Sequence, residues 1–356
     1  MNVLHLIHGR IVTGPVAAAL NDVRALSAAG HAAWLGGRSG SYPEQGAQAA
    51  GVAFAGGFRL GRGAARLLHL PADGARLRAL VDDLKLDAVH VHRSDDQLLA
   101  QLALRRMRHV KLVRTWHRSP SRVPSPLLRE LAQGCHALVC TNRADAATLA
   151  AGGAREARYL PSAVDTDAYR PRHERPPGPP KLGLIGRWKA GEDRGQRAFL
   201  NVLEKLERSL PWQGVLLGRG EDRAELERLI ARHPARERIV LEETDTGYAR
   251  QAAALRAGLV FATGSDGSSR PAAELLACGV PLLLADRPGL REFGEDAACA
   301  RVLPAEDAAA WAEALYQWLR DPERLAQRGH AARERAERVH ALPVRGAALA
   351  ELYARI

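Results

Sequence analysis

The richest chemistry in the sequence lies in Gly264-Ser-Asp-Gly-Ser-Ser-Arg-Pro-Ala-Ala-Glu-Leu-Leu-Ala-Cys-Gly-Val-Pro281. The apolar run Leu259–Ala262 before it reads as a strand. A loop of small residues follows, and Pro271 opens a helix at a position where proline is favoured. The backbone N–H groups of Ser268, Ser269 and Arg270 then point out of a helix N-terminus, which suits a phosphate or another anionic oxygen. Asp266 falls in the loop and Glu274 one turn into the helix. A carboxylate there can accept hydrogen bonds from the two hydroxyls of a ribose. Alternatively, both acids only complement the helix dipole, at ~0.3–1 kcal/mol each.

A second cluster repeats the geometry. Strand Lys181–Ile185 runs into Gly186-Arg187, and Arg194-Gly195 opens the next helix. A further strand ends in Leu217-Gly218-Arg219-Gly220, again before a helix. Guanidinium groups at strand-to-helix turns can hold phosphate oxygens bidentately. In a chain this rich in arginine, solvated surface cations are the plain alternative.

Other constellations are weaker. Asp165-Thr-Asp167 has the spacing of a metal motif but sits where a turn needs such residues. His90 and His92 lie on one face of a strand, two apart, as zinc ligands could. No further ligand is evident nearby, so hydrogen-bonded strand-end histidines are expected. Asp95-Asp96 reads as a helix N-cap. Trp311, Tyr316 and Trp318 read as helix packing. Cys135, Cys140, Cys278 and Cys299 have neither metal-ligand spacing nor a disulfide framework.

The elements that must position these residues alternate between strand and helix. In the first half, strands are expected at Val3–Ile7, Ala32–Leu35, Ala88–His92, Val110–Arg114 and Ala137–Cys140. Helices are expected at Pro15–Ala29, Ala75–Leu84, Leu127–Gln133 and Asp145–Ala151. The run Pro171–Pro180, with five prolines and a glycine, can continue neither a helix nor a central strand. Beyond it come strands Lys181–Ile185, Gly214–Leu217, Ile239–Leu241, Leu259–Ala262 and Pro281–Ala285. Helices Gly195–Ser209, Asp222–Arg232, Tyr248–Arg256 and Pro271–Cys278 alternate with them, and helices fill most of 305–356. This alternation predicts doubly wound parallel α/β structure. The expected organisation is a first domain over 1–170, a linker over 171–180, a second domain over 181–340, and a C-terminal helix over 341–356 crossing back to the first domain. Ligands belong beyond the carboxyl ends of the strands.

Composition narrows the class. The 356 residues are 46% hydrophobic and 26% charged, as in a globular protein with a real core. No window approaches the roughly 18 consecutive apolar residues of a membrane span. MNVLHLIHGRIV has no basic leader region or cleavage site and reads as a first buried strand rather than a signal peptide. The four cysteines, forming no disulfide framework, make the cytoplasm the default location. The net charge of +11 is uneven. Residues 1–175 hold 24 Lys and Arg against 14 Asp and Glu, whereas residues 176–356 hold 27 against 26. Codon bias explains arginine over lysine, but not this asymmetry. A basic first half suits an anionic partner such as a membrane surface or an acidic glycan. No helix-turn-helix, zinc-finger or interleaved aromatic signature points to nucleic acid.

In order and spacing, Gly186-Arg187…Arg194-Gly195, Leu217-Gly-Arg-Gly220 and Asp266-x7-Glu274…Ala-Cys-Gly-Val-Pro281 resemble the retaining GT-B glycosyltransferases of family GT4. In the first half, His8…Thr13-Gly14-Pro15 resembles that family's glycine loop, Ala29-Gly30-His31 its "GH", and Val89-His-Val-His92 its "VVHxH" strand. Tyr159-Leu-Pro-Ser-Ala-Val-Asp-Thr-Asp-Ala-Tyr-Arg-Pro171 resembles the segment entering the linker. The resemblance covers nearly the whole chain. It departs from the pattern at Asp266 for glutamate, Ser268-Ser269 for an aromatic-glycine pair, Arg194 for lysine and Ser162-Ala163 for Asn-Gly.

The resemblance implies a GT-B fold of two Rossmann-like domains facing a cleft, with a nucleotide-diphosphate sugar, UDP foremost, as donor substrate. No cofactor and no metal are implied. Glu274 would hold the donor ribose and Asp266 hydroxyls of the transferred sugar. Arg187 and Arg194 would neutralise the diphosphate. Gly14, Gly186, Ser268, Ser269 and Arg270 would complete the cradle, and His117 would line the sugar site. The second domain would bind the nucleotide and the first the acceptor, a glycan or lipid-linked glycan. It is the basic charge of the first half that suggests a peripheral place at the inner face of the plasma membrane. A nucleotide-sugar 2-epimerase of the same architecture, which would consume donor without acceptor, and an inactive binding protein are the rival readings.

Overall fold

Parallel strands connected by helices build both halves of the chain. The structure is a computed structural model. It describes all residues except 10–12, 60–64, 118, 124, 173–176, 190, 245–247 and 264–268, and except the side chains of 65–67 and 122. The first half runs β1 (Asn2–Leu6), α1 (Gly14–Ala28), β2 (Ala32–Arg38), α2 (Tyr42–Ala49), β3 (Phe54–Phe58), α3 (Ala65–Leu84), β4 (Ala88–Val91), α4 (Ser94–Leu104), β5 (Lys111–Trp116), α5 (Ser125–Gln133), β6 (Ala137–Cys140), α6 (Arg143–Ala151) and β7 (Ala157–Tyr159). The second runs β8 (Lys181–Ile185), α7 (Gln196–Lys205), β9 (Gln213–Gly218), α8 (Arg223–Ala231), β10 (Ile239–Glu243), α9 (Ala249–Ala252), β11 (Ala257–Val260), α10 (Arg270–Ala277), β12 (Leu282–Ala285), β13 (Ala300–Leu303), α11 (Ala308–Arg320) and α12 (Pro322–Arg335). A π-helical turn over Ala336–His340 leads into α13 (Leu342–Arg355).

The chain divides into two units. The first comprises Met1–Ala163 and Ala341–Ile356, and the second comprises Val164–Thr263 and Ser269–His340. The division falls before the proline segment because Val164 already belongs to the second unit, its N–H donating to the carbonyl of His340 at 2.8 Å.

The first unit is a seven-stranded parallel sheet ordered β3-β2-β1-β4-β5-β6-β7. Its central strands are buried on both faces, as parallel strands covered by helices must be. One core layer gathers Leu4, Leu6, Val89, Val91, Trp116 and Leu138; the other gathers Val3, Ile7, Val23, Leu26, Val113 and Val139. Helix α13 completes the second layer with Leu349, Leu352 and Tyr353 and lies along α1. At the crossing, a Cβ on Gly346 would stand 2.1 Å from the carbonyl oxygen of Ala25, so only glycine fits.

The second unit is a six-stranded parallel sheet ordered β10-β9-β8-β11-β12-β13. Trp311 stacks on Phe261, 4.1 Å between centroids, and Trp318 joins the same core. These tryptophans pack as the sequence predicts.

Several elements differ from expectation. Strands β3, β7 and β13 are edge strands of three to five residues with mixed burial, too short for a periodic pattern. Helix α3 begins ten residues early and tolerates Pro71. Helix α7 ends at Lys205 because Leu206 turns extended (ψ 134°) to bury its side chain. Asp95 and Asp96 are not the cap of α4, whose N-cap is Arg93. Asp96 instead turns inward, accepts the His8 N–H at 3.1 Å, and is pushed up to about 7 by burial.

Candidate active site

In the second sheet β8 lies between β9 and β11, so the chain reverses its direction of winding there. Such a switch point opens a crevice at the carboxyl ends of the strands. The connection after β8 carries Gly186, Arg187 and Arg194; the one after β11 leads to Ser269, Arg270 and Glu274. The two connections touch. Gly195 has a φ of +102°, and a Cβ there would lie 2.6 Å from the Phe261 Cβ. The end of β9 also comes close, since a Cβ on Gly218 would meet the Gly186 oxygen at 2.0 Å.

The charges around β8 are already arranged. Arg187 is exposed, and its carbonyl accepts from Gln196 Nε2 at 3.2 Å. Arg194 Nη2 donates to Glu192 Oε1 at 2.6 Å. Lys189 and Arg194 together hold the Glu192 carboxyl below its usual range. Asp193 Oδ1 accepts the N–H groups of Gly195 and Gln196, each at 2.8 Å, so α7 starts on its own carboxylate. The first turn of α10 has no acidic residue and no side-chain cap on Ser269. Of the two helices, α10 therefore offers its positive end to a ligand anion. A cavity beside the β8 connection is lined by Glu192, Asp193, Asp222 and Glu225 together with Lys189 and Arg197, and Glu192 and Glu225 are paired with those two cations.

Glu274 is 4% exposed, on the inner face of α10. The Tyr248 hydroxyl donates to its Oε2, and Arg270 Nε lies 3.4 Å from Oε1. Tyr169 meets Tyr248 edge-on, with ring centroids 5.8 Å apart. Burial, and then the Glu274 charge, push both phenols above their usual range, so they remain donors. A ligand diol reaching Glu274 would replace or share these contacts. Asp266 and Ser268 lie outside the described residues.

The first sheet has its own switch point between β1 and β4. Gly14 opens α1 after β1, with Thr13 at the N-cap making no side-chain bond and Pro15 in the first turn. His117 directly follows β5 and is 5% exposed. It belongs to a buried group of histidines: His92 Nδ1 lies 3.0 Å from His117 Nε2, and His5 Nδ1 lies 3.0 Å from His92 Nε2. His90 contacts Thr115 Oγ1 at 2.8 Å and the Tyr353 hydroxyl at 2.6 Å. His90 and His92 are hydrogen-bonded, as expected. Burial lowers His5 to about 4 and His117 to about 3, and takes His90 and His92 well below the usual range, so all four are neutral at pH 7. Asp22 lies near this group, with a ligand atom of each of His5, His92 and Asp22 within 4.8 Å of the others. Both Asp22 oxygens are committed to Arg345, at 2.8 and 3.2 Å.

Part of the basic first half is buried. Arg114 is a buried β5 residue whose guanidinium donates to Gln97 Oε1 at 2.6 Å and Ser94 Oγ at 3.0 Å. Burial lowers it to about 10. Trp116 lies in the core, with the Arg114 guanidinium 4.0 Å from its ring centroid. Residues at strand positions alternate between inner layers, and both of these face inward. Arg105, Arg106 and Arg108, just past α4, are exposed.

Sequence reasoning brought Arg187, Arg194, Ser269, Arg270 and Glu274 to one sheet edge. It missed Tyr169 and Tyr248, whose phenols flank Glu274, and it missed the convergence of His5, Tyr353 and Arg345. A histidine in β1 level with the His-x-His of the next strand was the only available signal for the latter.

Two family models match the chain: Glycosyltransferase Family 4 over residues 12–168, and Glycosyl transferases group 1 over residues 165–335. No curated protein matches it in sequence. Solved structures match in fold. Anabaena Alr3699/HepE in complex with UDP has a TM-score of 0.82 at 14% identity, with 100% of each chain covered. A glycosyltransferase from Rickettsia africae has 0.83 at 13% identity, covering 99% of this chain and 98% of that one. The lipopolysaccharide outer core galactosyltransferase WaaB has 0.74 at 12% identity, again over 100% of both. With two parallel Rossmann-like sheets, and family matches running from residue 12 to 335, the chain is a GT-B glycosyltransferase of the GT4 type.

Proposed function

We propose that this glycosyltransferase moves a hexose, with retention of configuration, from a nucleotide-diphosphate sugar to a glycan or lipid-linked glycan of the cell-surface polysaccharide type, without a metal ion. The observation that carries the donor reading is the β8–β11 edge, where Glu274 sits in a nest of phenols beside the positive end of α10 and the arginines after β8. Breaking a sugar–phosphate bond builds negative charge on the departing diphosphate. Arg187, Arg194 and the α10 amides supply fixed positive charge for it, which does the work a divalent cation would otherwise do. UDP is the favoured leaving group, since HepE, similar in fold, is seen with UDP and UDP-glucose. The exposed Arg105, Arg106 and Arg108 support an anionic acceptor or a peripheral contact with the inner membrane face.

Calorimetry with UDP-, GDP- and ADP-sugars tests the donor, and turnover in EDTA tests the metal. Saturable binding of one nucleotide series and EDTA-resistant turnover are expected. Strict dependence on Mg²⁺ or Mn²⁺ would remove the metal-free mechanism. Replacing Arg187 or Arg194 with alanine is expected to lower kcat more than it raises KM.

A further inference from the structure

The buried histidines of the first unit form one continuous file. Thr115 Oγ1 meets His90 Nε2 at 2.8 Å, and His90 Nδ1 meets the Tyr353 hydroxyl at 2.6 Å. That hydroxyl lies 3.3 Å from His5 Nε2. His5 Nδ1 then meets His92 Nε2, and His92 Nδ1 meets His117 Nε2, each at 3.0 Å. The sheet explains the alignment: β1, β4 and β5 are neighbours, His5 pairs with His90 in register, and α13 supplies the tyrosine. Every member is at most 5% exposed.

A neutral imidazole has one donor nitrogen and one acceptor nitrogen. In such a file, with the single proton of the Tyr353 hydroxyl also used, the direction of one hydrogen bond sets the direction of all. The Thr115 end decides between the two directions. His90 is the only partner of the Thr115 hydroxyl among the described residues. If His90 donated to it, the hydroxyl proton would be buried without an acceptor, and His117 Nδ1 would be a buried acceptor without a donor. If the hydroxyl donates, every proton along the file is used except the last. Each direction leaves one buried proton unused, but the reverse one strands a bare imidazole nitrogen as well, whereas the forward one leaves only under-used lone pairs on the Thr115 oxygen, the cheaper arrangement. The protons then sit on Thr115 Oγ1, His90 Nδ1, the Tyr353 oxygen, His5 Nδ1, His92 Nδ1 and His117 Nδ1. That last nitrogen is buried and has no partner among the described residues.

We propose that this file holds His117 as the neutral Nδ1–H tautomer, so that it presents a hydrogen-bond donor, not a base, to an oxygen of a sugar bound at the carboxyl end of the first sheet. Thr115, His90, Tyr353, His5 and His92 are positioning residues. The choice of a sugar oxygen as acceptor rests on the glycosyltransferase reading above; the tautomer does not.

Nitrogen-15 NMR of the histidine side chains in the full chain at pH 7 tests this. The expected spectrum has a protonated, pyrrole-type Nδ1 and a bare, pyridine-type Nε2 at all four histidines. Free neutral histidine favours the opposite form. Tyr353→Phe cuts the file between His90 and His5, and Thr115→Val removes the proton at its far end. Both are close in shape to the wild type. Tyr353→Phe should return His117 to a mixture of tautomers, and Thr115→Val should do the same first at His90. A bare Nδ1 on His117 in the wild type, or an unchanged His117 spectrum in folded Tyr353→Phe, would overturn the proposal. No substrate is needed for this readout, so a failed donor screen would leave the tautomer assignment standing, and the reverse.

Discussion

Replacing Arg345 should undo the seat of α13 on the first unit. Arg345 is 4% exposed and Asp22 2%, and they share two hydrogen bonds at 2.8 and 3.2 Å. Arg345 Nη1 also donates to the carbonyls of Leu160 and Pro161, at 3.0 and 3.2 Å. Arg345→Met keeps the apolar stem but leaves the Asp22 carboxylate buried and unpaired, a loss of about 3–5 kcal/mol. Adding Asp22→Leu removes that stranded charge. The double variant should regain most of the loss and stay about 1 kcal/mol short for the two carbonyls. Hydrogen exchange read by peptide is the assay, with α1 and α13 reporting and the second unit as internal reference. The single variant should lose protection in α1 and α13 alone. A double variant no more protected than the single one would show that the charge pair is not what holds this seam. Wild-type protection in Arg345→Met would refute the reasoning outright.

Three further outcomes are expected. The first unit should lose stability as pH falls from about 6.5 towards 4, because the unfolded chain takes up protons that buried His5 and His117 refuse until about 4 and about 3. Each histidine contributes up to ~1.4 kcal/mol per pH unit. Asp96, raised to about 7, works in the opposite direction but is one group against four. Urea unfolding at a series of pH values checks this, and a flat profile contradicts it. Gly346→Ala should lower the thermal midpoint by several degrees, since its methyl would meet the Ala25 backbone oxygen rather than a movable side chain. Calorimetry detects the shift, and an unchanged midpoint would mean that the two helices separate without cost. Glu274→Ala should weaken nucleotide-diphosphate binding about ten- to hundredfold, from the ~1.5–3 kcal/mol of a charged hydrogen bond. An equal dissociation constant by titration calorimetry would remove Glu274 from the donor site.

The sequence makes the central strands legible because they are buried on both faces and read as unbroken apolar runs, such as Leu182–Leu184 and Leu282–Leu284. It does not make the edges legible. Phe54–Phe58 carries two glycines, and Ala300–Leu303 alternates with an exposed arginine. The placement of Arg187, Arg194 and Glu274 at the β8–β11 edge was readable because they sit at fixed offsets from strand ends. The phenols around Glu274 and the histidine file were not, because each depends on residues from distant segments meeting in space. Tyr353 reaches His90 across 263 positions of chain, and no spacing rule operates over that distance. Residue type alone is no guide at Arg114 and Trp116, whose place on a central strand commits them to the interior.

Helix α13 has a consequence for how the protein comes into being. During synthesis the second unit is made in one run, from Val164 to His340, and has all its strands before the chain reaches Leu342. The first unit, although its seven strands are translated first, waits for α13 to deliver Leu349, Leu352, Tyr353 and the partner of Asp22. The usual order, in which the leading domain folds first on the ribosome, is therefore inverted for its final step. Until then the apolar residues of α1 that α13 covers, and Asp22, lack their partners. It also means that a fragment ending at Ala163 is an unfinished unit rather than a domain.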